Sequence, residues 1–204
     1  MLVTDIIRQV GRSFGDTDQI IVTNADIFDW INEAQLKICQ KTECLTTEVL
    51  YAASTFPHAF PADFIRTNRL LYGVVPLDEI GMNKLDDLGI DLTQRNTPLF
   101  YFYKDRKFNL YPLQPTADTT VVTIGYVQQA TIVAGLASTL DTPAVYHDEI
   151  IKYCLAKAHE RNENASAMQA KMAEFNEGIH EDMDDNFNKT NAYPVIGDDP
   201  WEDW

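Results

Sequence analysis

The sequence predicts an α+β fold: a helical bundle formed by N- and C-terminal helices, an inserted small antiparallel β-sheet or sandwich, and an extended C-terminal tail. Three observations predict it. Apolar residues recur at helical spacing before residue 44 and again after residue 140. The stretch between is rich in aromatic and β-branched runs broken by prolines and polar turns, and periodicity fades after residue 186. Helices, then strands, then helices are accommodated most simply by a bundle drawn from both chain ends. The expected divisions are 1–44 for the first helices, 45–130 for the β-rich insert, 131–186 for the later helices and 187–204 for the tail.

The first helix is expected from Thr4 to Phe14, with Ile6, Ile7, Val10 and Phe14 on one side and Gly15 as its stop. Thr23 or Asn24 caps the second, and Asp26 in its first turn suits the positive end of the dipole. Within "DIFDWINEAQLKI", residues 26–38, Ile27, Trp30, Ile31, Ala34 and Ile38 share the apolar face. Asn32, Glu33 and Gln35 fall on more exposed sides, available to a neighbour, and Glu33 and Lys37 are spaced as an i,i+4 ion pair. This helix ends near Lys41 or Thr42.

The texture changes after Cys44. "LTTEVLYAAS" has strand composition, and "FPHAFPADFIRTNRLLYG" sets prolines before another β-rich run. "GMNKLDDLG" is a short helix or turn. Strands near Leu99–Tyr103, Lys107–Tyr111 and Thr119–Val127 read as an antiparallel meander. Helix returns from about Pro143 to Arg161, with Ile150, Ile151, Cys154, Leu155 and Ala158 as its apolar stripe. A last amphipathic helix runs from about Ala165 to Asn186. The tail beyond it is rich in Asn, Asp and Pro yet carries Tyr193, Val195, Ile196, Trp201 and Trp204. The residues alone leave a docking segment and a disordered tail both open.

Charge narrows the function. The 204 residues carry a formal net charge of −15, which disfavours a protein that grips duplex phosphates or an anionic membrane. The N-terminal residues mix charges among apolar ones and do not read as a signal peptide, and no apolar run is long enough to span a bilayer. Cys39, Cys44 and Cys154 form no disulfide framework or zinc spacing and read as buried thiols kept in a reducing cytoplasm.

A search for chemistry finds one inviting place, "YHDEIIKYCLAKAHER". A metal-dependent hydrolase using His147, Asp148, Glu149 and His159 is the alternative from another class. Zinc hydrolases set two histidines four apart on one helix face. Here they are twelve apart, about 120° around the axis at about 100° per residue. A helix start with acidic first-turn residues, and a histidine toward the far end, accounts for them better. Cys154 lies in the apolar stripe without an activating base. Asp86–Asp87 reads as a solvated turn, and Glu181, Asp182, Asp184 and Asp185 as a solvated helix end. The aromatics of "FYFYKDRKFNLY" suggest base stacking beside Lys104, Arg106 and Lys107, but a sheet packed on both faces explains them better. No catalytic residue, cofactor or metal is expected.

Four segments in order carry a resemblance: "TNADIFDWINEAQLKICQKT", "FPADFIRTNRLLYG", "TPLFYFYKDRKFNLYP" and "LDTPAVYHDEIIKYCLAKAHERNENASAMQAKMAEF". Together they resemble the head–tail connector adaptor, or head completion, proteins of tailed bacteriophages over roughly Leu2 to Asn186. Trp30, Ile31, Ala34 and Ile38 match that family's first core helix; Tyr146, His147, Ile150 and Tyr153 match the start of the later one. The polar Tyr111–Thr120 connection and the tail after Asn186 depart from it. The resemblance implies a non-enzymatic virion protein at the head–tail junction, assembled in the host cytoplasm as a homo-oligomeric ring of about twelve copies. Such a ring joins the portal after packaging, extends the DNA channel without binding DNA specifically, and receives a tail, nozzle or stopper protein. No membrane is involved. A tail terminator or stopper of the same particle is the near alternative. For the portal or subunit interface the candidates are Tyr193, Pro194, Val195, Ile196, Trp201 and Trp204, because buried aromatic anchors dominate interfaces.

Overall fold

Both ends of the described chain are helical and the middle is β. The computed structural model describes residues 1–18, 20–87, 91 and 93–190, with side chains placed for 1–18, 20–85, 91 and 93–180. Helices α1 (Val3–Phe14) and α2 (Asn24–Thr42) lead, and α4 (His147–Arg161) and α5 (Ala165–Thr190) close the chain. Between them lie β1 (Thr46–Ala52), β2 (His58–Ala59), β3 (Phe64–Tyr72), β4 (Val75–Pro76), β5 (Asp78–Glu79), the short α3 (Met82–Asp87), β6 (Phe100–Lys104), β7 (Lys107–Tyr111) and β8 (Val121–Gln128). The chain is therefore α+β with terminal helices flanking a largely antiparallel β region, as its periodicity predicts. It divides into two compact units: Met1–Thr42 joined by the chain from Thr131, and Glu43–Ala130.

In the helical unit, α1 runs alongside α4 in the same direction. The Val3 N–H donates to the Ser138 carbonyl at 3.3 Å upstream of α4, and the Phe14 ring meets His159 near its end, centroids 5.3 Å apart. Helix α2 runs antiparallel to α4, since Glu33 meets Tyr153 and Asp26 pairs with Arg161. Helices α4 and α5 form a hairpin in which the Tyr153 and Phe175 rings lie 5.0 Å apart. Gly15 closes α1 in the left-handed conformation, φ 83°, its N–H returning to the Gly11 carbonyl. The later helix begins at His147 rather than Pro143, because a 3-10 turn occupies Ala144–Tyr146. Helix α5 continues to Thr190, four residues past the expected end, so the start of the supposed tail is helical.

The β unit holds two four-stranded sheets, ordered β1-β8-β3-β4 and β2-β7-β6-β5. This corrects the expected meander. β6 and β7 form a hairpin, with Phe100 opposite Tyr111, but β8 leaves for the other sheet and pairs with both β1 and β3. The proline-containing connection after β7 is long enough to carry the chain across. β8 also suits a central position, since Val122, Ile124, Tyr126 and Val127 are all buried. One pairing, β5 with β6, is parallel. Phe108, Leu110, Leu70, Val122 and Ile124 fill the core between the sheets. A fully buried side chain such as Phe108 contributes about 2–3 kcal/mol. Phe60, Phe64 and Phe108 meet edge to face or tilted, with centroids 4.5–5.4 Å apart.

Candidate functional site

The run "WINEAQLKI" is used almost entirely inside the subunit. Trp30 is 8% exposed, and Ile31, Ala34 and Ile38 are fully buried. On α4, Tyr146, Ile150 and Tyr153 are buried as well. Of the polar residues of the run, Glu33 is exposed as expected and Asn32 is half-buried, yet both also bond within the subunit. The Asn32 amide donates to the Val133 carbonyl at 3.0 Å and accepts from the Val133 N–H at 2.8 Å. Glu33 accepts a 2.8 Å hydrogen bond from the Tyr153 hydroxyl. Lys37 lies 5.2 Å above the Tyr153 ring rather than bonding Glu33. Gln35, expected on an exposed side, is 1% exposed. Burial first, then the hydrogen bond to Glu33, pushes the Tyr153 phenol well above its ordinary value.

The α1–α2 connection is fastened by a residue that periodicity did not single out. Asp16 accepts from the N–H groups of Ile20, Ile21 and Val22, each at 2.9 Å. These bonds, that from Val22 first, hold its carboxyl below the ordinary aspartate value. Just beyond, Thr23 rather than Asn24 caps α2. Asp26 Oδ2 accepts from the Thr23 N–H at 2.9 Å and from its hydroxyl at 2.6 Å, and the Asp26 N–H returns to Thr23 Oγ1 at 3.3 Å. The same carboxylate pairs with Arg161 at the far end of α4, so one cap ties two helices together.

Between α4 and α5, a close approach fixes Glu149. A Cβ on Gly178 would lie 2.3 Å from the Glu149 carboxyl carbon, so any larger residue there would push the Glu149 carboxylate out of its present place. Glu149 is 6% exposed and its Oε1 accepts from Lys152 at 2.7 Å. Glycine inside a helix costs about 1 kcal/mol against alanine, which was a signal in the sequence that something packs there.

The whole architecture, bundle and insert alike, falls under one family description. The model for the SU10 adaptor protein matches residues 1–195. The chain belongs to that family. Among curated proteins none matches it. The adaptor is thus a head–tail connector component of a tailed bacteriophage virion, a structural protein without catalytic turnover that works in an oligomeric assembly between portal and tail components. The match reaches Val195, nine residues past Asn186.

The adaptor's candidate catalytic groups are occupied with packing. His147 is buried, its Nε2 lies 3.1 Å from the Thr142 carbonyl, and burial holds it below the ordinary histidine value. His159 stands edge-on to Phe14. Cys154 is fully buried, which pushes its thiol up, away from reactivity. Among the described residues no three His, Cys, Asp or Glu side chains gather as metal ligands. The aromatics of β6 pack on both faces: Tyr101 joins the core between the sheets, and Phe102 packs with Ile80 and Leu85. Asp105 and Arg106 take left-handed φ of 54° and 58°, giving a tight two-residue turn that puts Lys104, Arg106 and Lys107 at an exposed tip. Tyr193, Pro194, Val195, Ile196, Trp201 and Trp204 lie outside the described residues, as do the side chains of Asp86, Asp87, Glu181, Asp182, Asp184 and Asp185.

Proposed function

We propose that the adaptor forms a ring of about twelve copies beneath the portal, and that the segment after α5 makes the portal contact through Tyr193, Pro194, Val195, Ile196, Trp201 and Trp204. What carries this reading is composition. Fourteen residues follow Thr190, and they hold three large aromatic side chains, an unusual outlay for a segment with no partner. Acidic side chains then line part of the channel, consistent with a net charge of −15, so that DNA is repelled from the wall and slides. On its far side the ring receives a tail, nozzle or stopper protein.

The test is a chain ending at Thr190. It is expected to keep the helical and β signals of the full protein by circular dichroism while losing binding to purified portal. Undiminished portal binding by the shortened chain would remove the tail from this role. A ring whose lumen proved uniformly basic would remove the proposed lining.

A further inference from the structure

Glu149 sits at the back of a shallow cleft in which Asp148 and Lys152 of α4 face Glu174 and Glu177 of α5. Only one of its oxygens is used. Oε1 takes the Lys152 ammonium, while Oε2 is buried with no hydrogen-bond partner among the described residues. A carboxylate oxygen withdrawn from water and left without a donor is costly, and native folds rarely keep one. Lys152 does not balance its surroundings either. Asp148, Glu149, Glu174 and Glu177 line the cleft with Lys152, and only Glu174 gains a second ammonium, that of Lys171 at 2.7 Å, so the cleft stays net negative. The carboxylates do not converge as metal ligands among the described residues, and the excess negative charge calls for a cationic side chain. A guanidinium fits best, since it brings several N–H groups on a long arm.

The complementary surface is on α1. Ile7, Val10, Phe14 and Ile27 floor an apolar groove, and Arg8 and Arg12 line it too. Arg8 is paired with Asp5 at 2.6 Å, whereas exposed Arg12 has no ion pair or hydrogen bond among the described residues. The cleft, for its part, presents Val145, 53% exposed, at its mouth. One surface is thus apolar and basic, the other apolar and acidic with carboxylates in excess.

We propose that the α1 groove of one adaptor subunit seats on the α4–α5 cleft of the next, with Arg12 pairing with the exposed Glu177 carboxylate at the rim of the cleft and Val145 entering the groove. Two different patches of one chain mating in this way make a head-to-tail contact, the kind that closes into a ring. The contact rests on the ring reading above and names the surfaces that build it.

The test uses the full chain, free and mixed with purified portal, with copies per ring counted by electron microscopy and native mass measurement. Arg12 and Glu177 are exposed, so charge reversals there leave the core alone. R12E and E177R are each expected to weaken ring assembly about tenfold or more, and the double variant R12E/E177R to restore it. Oxidised R12C/E177C should also cross-link into a ladder of subunits, which R12C alone does not. Rings formed by R12E as readily as by the wild type, or a double-cysteine variant that never cross-links within rings, would overturn the contact. Wild-type chain that makes no ring, free or on portal, would overturn the ring reading beneath it. That result is distinct from wild-type rings that R12E leaves intact.

Discussion

The Tyr153 hydroxyl and the Glu33 carboxylate, 120 residues apart in the chain, are joined by a 2.8 Å hydrogen bond that staples α2 to α4. Tyr153→Phe removes only the donor and keeps the ring beneath Lys37. Glu33 is exposed and is rehydrated by water, so the loss should be about 0.5–1.5 kcal/mol. Urea unfolding followed by circular dichroism reads it as a lower midpoint at unchanged slope. An unchanged midpoint would mean the bond adds nothing to the bundle.

Asn32 grips both backbone groups of Val133, so its removal should act locally as well as globally. Asn32→Ala is expected to cost about 2 kcal/mol and to raise hydrogen exchange at the Val133 amide more than elsewhere in the 131–135 segment. Asn32→Asp, which keeps the acceptor and loses the donor, should fall between. Exchange at Val133 that ignores both substitutions would show that the segment is held by other means.

Gly178→Ala sets two effects against each other. Alanine should favour the helix by about 1 kcal/mol, but its methyl would land on the Glu149 carboxylate. Overpacking of that kind costs about 1–3 kcal/mol, so net destabilisation is expected. Glu149→Ala removes the obstacle, so the double variant should be more stable than the sum of the single effects allows. Additivity in that cycle would place the strain somewhere else.

Asp16 should make acid stability depend on the α1–α2 connection. Its folded carboxyl titrates below the ordinary 3.8 because three backbone N–H groups favour the charged form. The stabilisation is therefore complete above the unfolded value and is lost as pH falls through the lower folded value. Wild type and Asp16→Asn should differ at neutral pH and converge on acidification below pH about 4. Parallel curves across that range would show that the charge is not what matters.

Legibility followed how local each determinant is. The Trp30, Ile31, Ala34 and Ile38 stripe and the α4 stripe through Ile150 and Cys154 could be read because helical spacing states them directly. Gln35 was misplaced although the same spacing located it: it lies four residues after Ile31 and four before Cys39, both buried, and its polarity outweighed its position. The β8 sheet assignment was not legible, because alternation identifies a strand but not which of two sheets it joins. Asp16, and the packing of Glu149 against α5, escaped notice for a related reason. Their partners are backbone amides and a glycine notch, which carry no residue-type signal except Gly178 itself.

The bundle's dependence on both chain ends also sets an order of events during synthesis. Asn32 leaves the ribosome 101 residues ahead of Val133, a delay of roughly 5–20 seconds at about 5–20 residues per second. Throughout it the Trp30, Ile31 and Ile38 face has no α4 to cover it, and the insert, Glu43–Ala130, is made during it and complete before α4 follows. Nascent adaptor chains therefore pass through a state with a finished β unit and a bare amphipathic helix pair. Chaperone engagement, or premature association of neighbouring nascent chains on a polysome, would be concentrated in that interval.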